Sequence, residues 1–150
     1  MKKNNNKGFS LVELIVVVLI LGILAVAISP QVMKWVGKSK ISTDKDSANT
    51  LKSSMQTALA DWQGQGGKIN TSEDFVLCIS ATGTPSVTKD WSFTKSGSTI
   101  KLSDVFAEVT AGEYPKAQYE VDATYGSFKI TVQNTTGKVT IDYKAKNVSE

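Results

Sequence analysis

Lys7-Gly8-Phe9-Ser10-Leu11-Val12-Glu13 opens an apolar run that continues to Ile28, and in the twenty residues from Phe9 to Ile28 only Ser10 and Glu13 are polar. Coiled as an α-helix, such a run measures roughly 30 Å, the thickness of a bilayer's hydrocarbon core. Ahead of it stands Met1-Lys2-Lys3-Asn4-Asn5-Asn6-Lys7-Gly8, short, polar and basic. Lysines before an apolar span keep that flank cytoplasmic, which sends residue 30 onward outside. A secretory signal peptide has a shorter apolar region followed by a small-residue cleavage site. Here the run passes into Ser29-Pro30-Gln31 without an Ala-x-Ala pattern. A plain single-pass anchor accounts for the length but not for Glu13. A carboxylate within an apolar span costs about 2.5–3.5 kcal/mol at mid-helix on insertion scales, and less near the end. Either Glu13 snorkels to the interface from one turn inside, or its charge has a partner.

The junction Gly8-Phe9, a glutamate at the fifth position counted from Phe9, and the unbroken apolar helix behind it resemble the N-terminus of type IV pilins and pseudopilins. The resemblance implies a leader over residues 1–8, removed on the cytoplasmic side by a prepilin peptidase that cuts between Gly8 and Phe9. Phe9 then becomes the first mature residue, its new α-amino group N-methylated, and Glu13 is required for assembly. A physical basis exists for that requirement. The ammonium on Phe9 is a charge in apolar surroundings once subunits pack, and a carboxylate from a neighbouring helix offsets its desolvation.

The chain has 150 residues, enough beyond a terminal anchor for one small extracellular domain of about 110–120 residues. Its formal charge of +3 comes from the leader, where Lys2, Lys3 and Lys7 lie; without them the side chains balance at 14 lysines against 14 acids. The basic balance therefore argues for no nucleic-acid partner. There is no arginine, so bidentate base or phosphate readout of that kind is absent. There is no histidine either, which removes Ser-His-Asp and Cys-His pairs and every His-ligated metal site. Cys78 stands alone, so no intramolecular disulfide forms. Many pilins of double-membraned bacteria close a loop near the C-terminus with a disulfide; its absence leans towards a Gram-positive or anaerobic source. Within Phe75-Val76-Leu77-Cys78-Ile79 the thiol reads as a small buried hydrophobe.

Ser29-Pro30 deprives the helix of the hydrogen bond to the Val26 carbonyl, so a kink or loosening is expected there. Gly22 is a second weak point. By resemblance, Gly22 to Pro30 corresponds to the segment that melts in family filaments. Beyond Gln31, the residues Ala48, Leu51, Met55, Ala58, Leu59 and Trp62 recur at three- and four-residue steps on one face, and Gly64-Gln65-Gly66-Gly67 ends the pattern. The spacing predicts one helix from about Phe9 to Gln63, apolar all round in its first half and along one stripe in its second.

Thr71-Ser72-Glu73-Asp74 caps a short helix over Phe75–Ile79, or precedes a strand there; the acidic first turn favours the helix. Thr82-Gly83-Thr84-Pro85 is loop, and Trp91-Ser92-Phe93 alternates as a short strand. Leu102–Val109 forms another helix with Ser103 as N-cap and Ala111-Gly112 as its stop. Three alternating runs then follow with short glycine-containing turns: Tyr119-Val121-Ala123, Phe128-Ile130-Val132 and Val139-Ile141-Tyr143. They predict an antiparallel meander with one apolar face, covered by the stripe from Ala48 to Trp62. The fold class is α+β: a long N-terminal helix packed under a small antiparallel sheet, the pilin architecture. Its parts are the leader 1–8, the membrane or filament-core helix 9–29 and the extracellular domain 30–150. That domain divides into the amphipathic helix 30–63, a variable loop region 64–116 and the meander 117–144.

No constellation in the exported domain supports catalysis, a cofactor or a metal. Asp44, Asp46, Asp61, Asp74, Asp90, Asp104, Asp122 and Asp142 are scattered and fit caps, turns or solvated faces, without calcium-loop spacing. The Gly64–Gly67 cluster follows a helix and lacks the Lys-Ser/Thr of a phosphate loop. Sequons at Asn70, Asn134 and Asn147 carry little weight. Of three tryptophans, Trp35 suits a membrane interface, Trp62 the core stripe, and Trp91 the core rather than a sugar- or base-stacking surface. The chain therefore reads as a structural subunit of a type IV pilus. It polymerises through its helix as a homo-oligomer and serves adhesion, motility or DNA uptake. Its partners are the peptidase, an assembly ATPase, a membrane platform and the membrane. It passes from the cytoplasmic membrane as precursor to a surface filament. The alternatives are a pseudopilin or minor pilin of a secretion or competence apparatus, and a tethered binding module that never polymerises.

Overall fold

The computed structural model describes residues 9–69 and 72–148. Two compact units divide the chain, one within Met1–Gly37 and one within Lys38–Glu150. A single helix, α1 (Leu11–Gly64), contributes to both and continues through Pro30.

Within the second unit, α1 buries Asp44, Ala48, Leu51, Met55, Ala58, Leu59 and Trp62, the stripe that its periodicity dictates. The helix ends where glycine permits it. Gln65 N–H donates to the Asp61 carbonyl and Gly67 N–H to the Trp62 carbonyl, both at 3.0 Å, with Gly66 at φ 119°. Gly67 lies flat against the Trp62 indole; a Cβ there would come within 2.3 Å of the ring.

Against the stripe packs a four-stranded antiparallel sheet in the order β2-β1-β5-β6, from β1 (Phe75–Ile79), β2 (Pro85–Lys89), β5 (Phe128–Val132) and β6 (Val139–Asp142). A separate ribbon pairs β3 (Ser92–Lys95) with β4 (Ser98–Lys101), and α2 (Leu102–Val109) follows directly. In register, Phe75 faces Val132, Leu77 faces Ile130 and Ile79 faces Phe128. Across the next ladder, Ile130 faces Ile141 and Val132 faces Val139. All of these inward residues are buried with the α1 stripe and with Leu102, Val105 and Phe106 of α2. Each such large side chain contributes about 1.5–3 kcal/mol by leaving water. Trp91 joins the core at 3% exposure, tilted on Trp62 at 6.0 Å, with its Nε1 donating to the Glu73 carbonyl at 2.9 Å.

The helix expected over Phe75–Ile79 is a strand. Alternating burial, with Val76 and Cys78 on the other face, outweighs the acidic residues before it. Cys78 is accordingly half-buried rather than a core residue, between Ser86 and Lys129 on the neighbouring strands. Residues 64–116 hold more than loop: two sheet strands, the ribbon and α2 lie there. The meander anticipated over 117–144 begins at Phe128; residues 119–123 make no strand, and only an isolated bridge joins Asp122 to Gly126. Ser103 lies inside α2, where its hydroxyl and N–H donate to Asp90, and the N-cap is Lys101 without a side-chain bond. Thr71, Asn70 and the leader 1–8 lie outside the described residues, as does the side chain of Asn147.

Candidate assembly site at the helix N-terminus

Among its described residues, the first unit buries no side chain. Every residue from Phe9 to Val36 is exposed, including Leu11 at 73%, Ile20 at 49% and Val26 at 76%. As a helix this stretch is long and apolar enough to cross a membrane. A monomer in water would hold this entire apolar surface against solvent at about 25 cal/mol per Å², so lipid or other helices must cover it.

At its start, Phe9 is 82% exposed and precedes the first helical turn. Ser10 stands at the N-cap: Leu14 N–H donates to its carbonyl at 3.2 Å, and its own N–H donates to Glu13 Oε2 at 3.3 Å. This is half of a capping box, in which the carboxylate reaches back to the first free donor of the helix. The helix dipole adds to the attraction, since Glu13 is the acidic residue of the first turn. The carboxylate therefore turns back towards Phe9 rather than along the span.

Of the residues singled out by sequence, Glu13 bonds Ser10, the residue after Phe9 in the chain, and Gly8 lies outside the described residues. Gly22 and Pro30 sit further along α1. A Cβ on Gly22 would meet nothing within 4 Å, so no contact inside the chain demands glycine there. Trp35 is 64% exposed, as an interfacial indole is.

Sequence reasoning grouped Asp44 with the scattered acids of caps, turns and solvated faces, and the structure corrects that reading. Asp44 is fully buried, its carboxylate accepting the backbone N–H groups of Gln118 at 2.6 Å and Tyr119 at 3.0 Å. Its signal was positional, because it lies four residues before Ala48 on the helix's buried face.

The family model "Prokaryotic N-terminal methylation motif" matches residues 3–29. Three proteins of Dichelobacter nodosus, each a Type IV major fimbrial protein FimA, are similar to the chain. One is 36% identical over 66 residues, covering 44% of this chain and 41% of that protein. A second is 36% identical over 59 residues, 39% of this chain and 37% of its own length. The third is 33% identical over 64 residues, 43% and 41% of the two chains. The chain thus spans about two fifths of the length of these relatives. No solved structure matches it.

Proposed function

We propose that this chain, whose N-terminus matches the prokaryotic methylation motif over residues 3–29, is a type IV pilin, a structural subunit that polymerises into a surface filament. The observation that carries the proposal is a division within one helix. Up to Val36 its apolar residues are left exposed by the described residues, and from Ala48 the stripe is buried beneath the sheet. The uncovered half carries the methylation motif, and covering it with the same half of other copies removes its apolar surface from water.

In this scheme the chain waits in the membrane until a prepilin peptidase cuts between Gly8 and Phe9. The α-amino group of Phe9 is then methylated and stays cationic. When helices bundle, that cation loses its hydration, and a carboxylate is the compensation available. Glu13, turned towards the helix start, supplies it to a neighbouring copy. Gly22 and Pro30 mark the stretch where helical bonds loosen as the core packs, Pro30 because it has no N–H to give. An assembly ATPase and a membrane platform drive the transfer from membrane to filament. The chain is a substrate of the peptidase and catalyses no reaction. Similarity to major fimbrial proteins favours a pilus over a secretion pseudopilus.

Glu13→Ala tests the proposal. Membrane levels of the processed chain should match wild type while sheared surface filaments disappear. Filaments in normal number, or a surface function retained without them, would contradict it.

A further inference from the structure

The sheet of the second unit has two free lateral edges among the described residues, β2 and β6. All five residues of β2 are exposed. At its Lys89 end, against the residues that precede β1, lies a groove of about 370 Å³ bordered by Glu73, Asp74, Lys89 and Asp90. Three acids face one lysine there, and that lysine is paired with Glu73 at 3.1 Å. Beside β6 runs a second groove, about 240 Å³, between the strand and α1. Lys52, Lys138 and Lys146 border it, with Asn49 and Tyr143. Asp142 neutralises Lys146 at 2.7 Å, leaving Lys52 and Lys138 to set the sign.

The two grooves are level as well as opposite in charge. Lys89 pairs with Val76 and Phe75 with Val132, so the acidic groove opens at the Val132 end of the sheet. Val139 pairs with Val132, which puts Lys138 at that same end. A neighbour set alongside brings one groove against the other without sliding along the strands. The two surfaces differ, so the contact is heterologous, and unless its rotation closes a ring it repeats from copy to copy as a filament does.

We infer that the partner of the lysine groove along β6 is the acidic groove at the Lys89 end of β2 in a second copy of this chain. The inference rests on the filament proposal above and adds the surface through which the sheet-bearing units choose their neighbours. Complementary charge fixes register, while like charges brought face to face are strongly disfavoured.

Charge reversal with rescue tests it in the full chain, with sheared filaments counted by electron microscopy. Lys52→Glu/Lys138→Glu should lower filament yield by about tenfold or more, the scale of like-charge opposition at an interface. Glu73→Lys/Asp90→Lys should do the same. The chain bearing all four changes should recover most of the yield, because the attraction is restored with its signs exchanged. A folding defect cannot produce that rescue. Wild-type yield from the lysine reversal, no recovery in a fourfold variant whose thermal unfolding matches wild type, no recovery when Glu73→Lys alone is combined with the lysine reversal, or intact filaments that lose only attachment to another surface would each overturn the inference. Glu13→Ala run in parallel separates the two proposals. If it abolishes filaments while the charge variants do nothing, the helix assembles the filament and the grooves do not.

Discussion

The Asp44 carboxylate accepts the backbone N–H of Gln118 at 2.6 Å, joining α1 to a residue 74 positions further along the chain. With Tyr119 N–H at 3.0 Å on its other oxygen, it is bidentate to two successive amides. The segment between α2 and β5 contains no strand and takes its anchorage from individual bonds such as these. Asp44→Ala should destabilise the second unit by about 2–4 kcal/mol, since charged hydrogen bonds are lost and two donors are stranded. Asp44→Asn should cost nearly as much, because its NH₂ opposes one of the donors. Hydrogen exchange should show Gln118 and Tyr119 amides losing protection in both variants; unchanged protection would refute the anchoring role.

Gly126 holds the far end of the same segment. It has φ 91°, and a Cβ there would come within 2.7 Å of the Ile79 carbonyl oxygen and 2.8 Å of Ser80 Cα, both backbone. Its N–H and carbonyl are both engaged with Asp122. Gly126→Ala should therefore cost about 2–4 kcal/mol, combining backbone strain with overpacking. Thermal unfolding against wild type measures it. The exposed Gly97→Ala, with nothing within 4 Å but φ 83°, isolates the backbone part and should cost less.

Trp62 and Trp91 form one aromatic cluster but differ in their indole nitrogens. Trp91 donates to the Glu73 carbonyl, whereas Trp62 Nε1 is buried without an acceptor. Replacing either by Phe loses packing. Trp91→Phe also breaks a hydrogen bond of about 1 kcal/mol, while Trp62→Phe removes a buried donor that had no partner. Denaturant unfolding should rank Trp91→Phe as the more damaging of the two relative to the area each removes.

Two groups in the 119–127 region make stability depend on pH in opposite directions. The Thr124 N–H, 2.8 Å from Asp122, holds that carboxyl below the usual range. Its contribution is present above the unfolded carboxyl's pKa and is lost as pH falls through the folded value. Burial, then the Asp122 and Asp142 carboxylates, push the Tyr125 phenol up. Its contribution is present below the ordinary tyrosine pKa and is lost as pH rises through the folded value. Asp122→Asn should flatten the acid limb of a stability–pH profile and Tyr125→Phe the alkaline limb. Parallel curves in either case would refute the assignment.

The helix was legible in the sequence because its two signals are long: twenty residues for the span and a sustained stripe from Ala48 to Trp62. β5 and β6 were legible because strict alternation of Phe128, Ile130, Val132, Val139 and Ile141 survives as burial. The same alternation at Tyr119, Val121 and Ala123 misled, since no neighbouring strand pairs with that run and Asp44 instead takes the Tyr119 amide together with that of Gln118 before it. Phe75–Ile79 was ambiguous because five apolar residues suit a buried strand or a helix turn equally, and only the pairing with β5 decides. Asp44 itself was hidden by its type. An acid on a core stripe reads as an exception until its backbone donors, remote in sequence, are known.

Under the filament proposal, residues from Phe9 onward form the working subunit and other copies cover its exposed helix. Intact-mass spectrometry of the protein sheared from the surface of cells tests this most directly. The account predicts a chain beginning at Phe9 with one added methyl group, recovered as filaments. A chain retaining Met1 to Gly8, or one released singly, would contradict it.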